Sequence, residues 1–308
     1  MARVLVDFDA AVAPHRRELL VHCYRMLGSP FDAEDALQET FVRAWRAADR
    51  YDAERASVRT WLYRIATNVC LSALASRRGR PLPSGVGELF EDPDAPFVPG
   101  AEVPWLVPMP VDPAVAASER GRLRLALIAA LQLLPARQRA VLLLREALEL
   151  PAAEVADSLE MTTAAVNSAL QRARARLGQA RIALDDVAPP AAEQRAVVDR
   201  YVSAFERADV PAITALLAEE VILEMPPMWN WYAGVPAYAG FMRRVYRTRG
   251  TRWDATPVWA NGEAGFAAYL DGRPHSVQLL TVSHGRVVRA SVFADPVVFG
   301  LFDLPAER

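Results

Sequence analysis

Asn167, Gln171 and Arg172 fall within six residues of one another. Each carries a forked polar group that can match the paired donors and acceptors on a base edge in the major groove. Thr163, Ala164, Ala165 and Ser168 stand beside them, and Arg174 and Arg176 follow as candidates for phosphate. A second group of the same chemical kind lies upstream. Arg59, Arg64, Arg77 and Arg78 can neutralise phosphates, and Trp61 and Tyr63 offer ring faces on which bases stack. One of the two rings is expected in the core, and Trp61 is the favoured one. No spacing specifies a catalytic dyad or triad, and no His/Cys/Asp cluster has zinc-like spacing.

These residues need helices to present them. Residues 8 to 79 read as helical. A first helix runs from about Phe8 to Leu27 and stops at Gly28-Ser29-Pro30. A second is expected to begin at Asp32 as N-cap, with an apolar stripe of Leu37, Phe41, Ala44, Trp45 and Ala48. A third starts near Ser57 and buries Val58, Leu62, Ile65 and Val69, leaving Arg59 and Arg64 off the stripe. Residues 81–113 hold nine prolines and little periodicity, so they read as a linker. Val103, Trp105, Leu106, Val107 and Met109 within it imply that it docks on something.

Helical pattern resumes over about Pro113 to Leu133 and again after Pro135. A short helix from Pro151, a tight turn at Glu160-Met161 and a longer helix capped by Thr162 form a helix-turn-helix pattern, although the turn lacks the usual Gly. Pro189-Pro190 mark a second linker. Beyond it come two helices, a strand at Val221–Met225, a Pro- and Trp-rich loop, a helix at about Pro236–Tyr246 and four strands. Asn261-Gly262, Asp271-Gly272 and His284-Gly285 are hairpin turn signals between those strands.

Composition adds boundaries. The chain has 308 residues and a net charge of −2, so charge alone does not announce a nucleic-acid partner. Distribution does more: Arg55 to Gly87 holds six arginines and no acid, and Met161 to Leu184 holds four and no acid. Every basic side chain of the Lys/Arg class is Arg. Cys23 and Cys70 fall on apolar helix faces, which fits a reducing compartment better than a disulfide framework. There is no signal-peptide pattern and no run of ~20 apolar residues. The expectation is a soluble, cytoplasmic protein.

The motifs now carry a resemblance. Asp32-Ala33-Glu34-Asp35-Ala36-Leu37-Gln38-Glu39-Thr40-Phe41, Trp45 and Thr60-Trp61-Leu62-Tyr63-Arg64-Ile65-Ala66-Thr67-Asn68 resemble region 2 of RNA polymerase sigma factors of the extracytoplasmic-function group, in the sigma-70 family. Leu134-Pro135-Ala136-Arg137-Gln138-Arg139, Val155-Ala156 and Ala164 through Arg174 resemble region 4. The Asn167-to-Ala173 string and the Trp105 linker resemble the SigG-type subgroup, which appends a SnoaL-like domain. The resemblance implies two all-α domains plus one α+β cone of the SnoaL-like, ketosteroid-isomerase-like kind. It divides the chain into region 2 at 1–80, linker at 81–113, region 4 at 114–184, linker at 185–192 and SnoaL-like domain at 193–308.

It also implies roles. Glu34, Asp35, Gln38, Glu39 and Phe41 would meet core RNA polymerase at the clamp helices of its largest subunit. Asp49, Tyr51 or Asp52 would cradle an unstacked base of the −10 element, with Arg59, Trp61, Tyr63, Arg64, Asn68, Arg77 and Arg78 along the strand. Thr163, Ala164, Ala165, Asn167, Ser168, Gln171, Arg172, Arg174 and Arg176 would address the −35 element. In the cone, Trp229, Trp231, Tyr232, Tyr246, Trp253 and Trp259 would line the open end or pack as core, with Glu224, Asn230, His275 and Asp295 as polar candidates. No cofactor or metal is implied. Three functions stay open: a sigma factor regulated by its C-terminal domain, through contact with the helical regions or the linker; one fused to a small-ligand sensor; or a SnoaL-like enzyme with a DNA-binding attachment. The expectation is promoter-specific initiation without catalysis.

Overall fold

The structure, a computed structural model, describes residues 8–75, 79–110, 124–179 and 191–308. It divides into two compact units, Met1–Arg80 with Ile128–Ala183 and Pro81–Leu127 with Leu184–Arg308.

The first unit is all helical among the described residues. A short α1 (Phe8–Val12) passes through a 3-10 turn at Ala13–His15 into α2 (Arg16–Leu27). Pro14 has no N–H to continue the ladder, so the expected single helix is broken there. Gly28 closes α2 in the left-handed conformation with φ 71°. Next is α3 (Pro30–Arg46), whose N-cap is Ser29 and not the expected Asp32; Ser29 Oγ accepts from the Asp32 amide at 3.4 Å. Pro30 takes the first turn, where a missing donor costs nothing. α4 (Val58–Leu74) begins at Ser57, whose Oγ accepts from the Thr60 amide at 3.1 Å.

Two aromatic expectations change. Trp45 is 67% exposed rather than in the α3 stripe. Tyr63, not Trp61, is the core residue of its pair at 3% exposure. Tyr63 packs edge-on to His22, whose Nε2 lies 2.9 Å from Thr67 Oγ1. Cys23 and Cys70 are buried, free and adjacent, each on the apolar side of its helix.

The remainder of this unit is α5 (Leu125–Gln132, belonging here from Ile128), α6 (Ala136–Leu142) with a π turn at Leu143–Ala147, α7 (Ala152–Leu159) and α8 (Thr163–Gln179). The start of the helix expected from Pro113 lies outside the described residues. Glu160 supplies the left-handed turn after α7 at φ 54°, a place where Gly is favoured. Thr162 Oγ1 accepts from the Ala165 amide at 3.1 Å and caps α8.

Arg139 joins α6 to α2. Its side chain is 2% exposed. One guanidinium nitrogen donates to the Met26 carbonyl and to Gln132 Oε1 (2.7 Å), and the other to the Gln132 and Leu134 carbonyls (both 3.1 Å). Gln132 Nε2 donates in turn to the Arg25 carbonyl at 3.1 Å.

The second unit is α+β. A six-stranded sheet runs in the order β2-β1-β6-β5-β4-β3. The strands are β1 (Leu217–Glu224), β2 (Trp231–Ala233), β3 (Trp253–Ala260), β4 (Glu263–Leu270), β5 (Arg273–Ser283) and β6 (Arg286–Phe293). All neighbours are antiparallel except β1 and β6. The three hairpin turns have positive φ at both central residues, as at Asn261 (54°) and Gly262 (70°), which suits the right-handed twist. The short β2 was not anticipated from sequence. Helices α9 (Ala191–Glu206), α10 (Val210–Ala215) and α11 (Val235–Arg249) cover the sheet, and α12 (Pro296–Gly300) ends the fold.

Residues 81–110 pack on this unit. Leu82, Trp105, Leu106 and Met109 are buried. The connector hydrogen-bonds the cone along its length. Phe90 donates to the Trp231 carbonyl (3.0 Å), Val98 to Asn230 Oδ1 (2.7 Å), Gly100 to the Pro227 carbonyl (2.8 Å) and Met109 to Asn261 Oδ1 (2.8 Å).

Replacing Arg139 with Met strands three buried carbonyls and should lower the stability of the helical unit by roughly 2 kcal/mol or more, read by urea unfolding. A pH effect follows from His22. Burial pushes its pKa from 6.5 down to about 3, so the folded imidazole stays neutral where the unfolded one protonates. Its contribution is complete above about pH 6.5 and is lost as pH falls, approaching about 1.4 kcal/mol per pH unit. Unfolding curves at pH 7 and 5.5 should diverge less in His22→Gln than in the unsubstituted chain.

Candidate nucleic-acid interface

Helix α8 separates its faces cleanly. Val166, Ala169, Leu170, Ala173 and Leu177 are buried against the rest of the unit. Thr163, Ala164, Asn167, Ser168, Gln171 and Arg172 are exposed, and Ala165 is half-buried. The forked side chains therefore share one solvent-facing surface over the N-terminal half of a capped helix. Arg176 is exposed, while Arg174 is held by Glu146 from the π turn.

On α3, Asp35 and Gln38 are exposed, and Glu34, Glu39 and Phe41 are half-buried. Glu34 pairs with Arg16, and Glu39 accepts from Arg43 Nε at 2.6 Å. The same helix shows Phe31, Val42 and Trp45 to solvent at 44%, 41% and 67%. Residues 31, 35, 38, 42 and 45 recur at helical spacing, so an apolar stripe interleaved with polar groups faces outward. Sequence reading took Trp45 as inward and so missed this stripe.

The loop before α4 and the helix itself border a groove of about 510 Å3. Arg50, Tyr51, Asp52, Arg55, Trp61 and Arg64 line it together with Glu154, Asp157 and Ser158 of α7. Tyr51 and Trp61 pack with ring planes tilted by 43° and centroids 5.0 Å apart, and the Tyr51 hydroxyl donates to the Ala56 carbonyl at 3.0 Å. Tyr51 is thus 6% exposed, whereas Asp49 and Asp52 face water. Arg64 is exposed. Arg59 is not free: it donates to Glu18 at 2.9 Å and lies 5.1 Å from the Tyr63 ring centroid. Asn68 Nδ2 is 3.4 Å from the Ser158 carbonyl. Arg77 and Arg78 lie outside the described residues. Arg50 and Arg55 were missed as groove residues; both flank the loop and carry the right charge.

The cone candidates do not converge on one place. Of these candidates, Trp253 and His275 line an apolar cavity of the cone, and Tyr246 is buried in the core. Glu224 is fully buried and bound by Arg289 (2.7 Å), Ser291 Oγ (3.0 Å) and the connector's Ser84 Oγ (2.6 Å). Its oxygens are thus taken up by the sheet and the connector, with none turned toward an open cavity. Trp229 packs on Trp105 at 4.9 Å, and Trp231 Nε1 donates to the Gly87 carbonyl at 3.1 Å. Asn230 spans the connector from Val98 to Pro96. Tyr232 lies in the core against Phe90 and Phe241, Trp259 borders a separate depression, and Asp295 caps α12. Glu224, Trp229, Asn230, Trp231 and Tyr232 are occupied by the connector, because the sheet edge and loop that carry them are where it docks. Among the described residues no His/Cys/Asp/Glu group could hold a metal ion, and no helix is long and apolar enough to cross a membrane.

The fold and the exposed row on α8 define a helix-turn-helix DNA-binding protein with a second helical module and an appended cone. Comparison with known proteins narrows this. Residues 11–80 match the family model for sigma-70 region 2, residues 124–177 that for sigma-70 region 4, and residues 198–294 that for the SnoaL-like domain. The chain is 43% identical to the extracytoplasmic-function (ECF) RNA polymerase sigma factor SigG of Mycobacterium tuberculosis, over 97% of this chain and 84% of that protein. It is 27% identical to the probable sigma factor SigI of the same organism, over 94% and 93%. The crystal structure of M. tuberculosis SigJ aligns with a TM-score of 0.66 at 22% identity, covering 97% of this chain and all of that one. The chain belongs to the extracytoplasmic-function sigma factors of RNA polymerase. As such it directs promoter-specific transcription initiation with core polymerase.

Proposed function

We propose that α8 reads the −35 element through Asn167, Gln171 and Arg172, with Thr163, Ala164, Ala165 and Ser168 allowing close approach to the base edges. Arg176 takes phosphate, and Arg174 joins it when it leaves Glu146. The groove beside Trp61 and Arg64 receives the −10 strand, with Asp49 and Asp52 at its loop. The outward stripe of α3, Asp35 and Gln38 between Phe31, Val42 and Trp45, docks on core polymerase; an exposed apolar stripe on a soluble helix favours a protein partner. The observation that supports this reading best is the clean division of α8 into a buried apolar face and an exposed face bearing three forked groups.

The C-terminal unit regulates initiation by holding the connector between regions 2 and 4. Ser84, Gly87, Phe90, Val98, Gly100 and Met109 all bond to cone residues, which supports a role beyond that of a passive extension. A catalytic reading has no comparable support, since Glu224 is fully buried and engaged by Arg289, Ser291 and Ser84.

Run-off transcription with core polymerase on genomic promoter fragments tests the main reading; no transcript, under conditions where another sigma factor supports one, would sink it. Arg172→Ala should reduce discrimination at one −35 position by about 1–3 kcal/mol, measured as binding to a set of single-base promoter variants. Regulation has its own test. A Cβ on Gly240 of α11 would stand 2.5 Å from the connector's Pro93. Gly240→Ala favours the helix itself by about 1 kcal/mol but pushes the connector away. It should speed amide exchange at residues 90–100 and change transcript yield; faster exchange with unaltered yield would remove the regulatory role.

A further inference from the structure

The cone holds a cavity of about 150 Å3 that promoter recognition does not use. Apolar walls come from Leu223, Met225, Phe241, Met242 and Trp253. One lining residue, Phe97, belongs to the connector. Its ring packs on Phe241 with centroids 6.3 Å apart and lies 4.5 Å from the Arg244 guanidinium. Arg244 in turn donates to the Pro93 and Ala95 carbonyls at 2.9 and 2.6 Å. Asn230 grips the chain on either side of Phe97 through Pro96 and Val98. The wall at Phe97 therefore exists only while the connector is docked.

Size and chemistry restrict what can enter. A cavity of about 150 Å3 with apolar walls accommodates a molecule the size of benzene. Polar groups gather on β5: Gln278 Nε2 lies 3.4 Å and His275 Nδ1 3.2 Å from Ser276 Oγ. No carboxylate lines the space. Arg244 is spent on connector carbonyls, and Arg249 is exposed at the rim. Burial, with Arg249 nearby, pushes the His275 pKa down to about 4, so the imidazole is uncharged near neutrality.

Resting on the regulatory reading above, we propose that this cavity binds a neutral one-ring molecule bearing one hydroxyl or carbonyl group, and that binding locks the connector onto the cone through Phe97. A ligand that needs the docked wall stabilises the docked state by the factor 1 + [L]/Kd. At ten times Kd the undocked population falls about elevenfold.

The probe is p-cresol, titrated calorimetrically into the full chain, with 4-methylbenzoate as the charged counterpart. Saturable one-to-one binding of p-cresol is expected, with 4-methylbenzoate at least tenfold weaker. Amide exchange at Val98 and Gly100 should slow about tenfold at ten times Kd. Phe97→Ala should uncouple the two, leaving exchange indifferent to p-cresol; Met242→Trp should fill the cavity and abolish binding. No saturable binding, equal binding of the carboxylate, or binding that leaves exchange at residues 97–100 unchanged would each overturn the proposal. Transcription separates the two readings: if p-cresol binds and slows exchange while Gly240→Ala leaves yield untouched, the ligand site stands and the regulatory role falls.

Discussion

A buried guanidinium organises the helical unit. Arg139 sits out of water among three backbone carbonyls from two separate stretches, Met26 in one and Gln132 and Leu134 in the other. Removing a charge from water costs several kcal/mol, and only a near-complete set of acceptors offsets it. Burial lowers its pKa to about 10, which still leaves it charged at any physiological pH. The carbonyls must therefore stay where they are. Space around the group is closed as well: a Cβ on Gly79 would come within 2.3 Å of the Gln132 carbonyl oxygen. Because α6 carries Arg139 and packs on α8, the geometry of the recognition helix depends on this one set of bonds reaching into region 2.

The second unit is held by a different device. Thirty residues with almost no regular structure find partners for much of their backbone on a neighbouring sheet edge and loop. Exposed sheet edges and irregular segments each leave backbone groups needing partners. Here one supplies what the other lacks, down to isolated bridges at Pro99–Met228 and Pro110–Ala260. Prolines fit because they need no donor bond and start from a restricted unfolded state.

Local signals and long-range ones were legible to different degrees. The stops and caps at Gly28, Ser57 and Thr162 can be read from single residues, as can the three hairpin turns, since each depends on its own backbone. The stripe of α8 was equally plain, because burial on one side leaves a 3.6-residue period. Trp45 was misassigned because periodicity cannot tell a core stripe from an outward apolar one. Tyr63 and Trp61 were exchanged for the same reason: both rings are large, and only the packing around His22 and Tyr51 decides between them. In the cone, aromatic composition signalled burial without saying what would do the burying. Trp229 and Trp231 face the connector, a pairing across more than a hundred residues that no local pattern records. Glu224 looked like a candidate base because its hydrogen-bonding partners, Ser84 and Arg289, are distant in the chain.

Docking at so many points gives the connector a fixed length. An ordinary tether tolerates insertions, since doubling a flexible loop costs only about 0.6 kcal/mol. Here Gly87, Pro93, Val98, Gly100 and Met109 each meet a particular cone residue. One residue added between Val98 and Gly100 would put every anchor after it out of register. Sequence change in this stretch is confined to substitution, and the connector and the cone must evolve as a single inherited piece despite lying on opposite sides of region 4 in the chain.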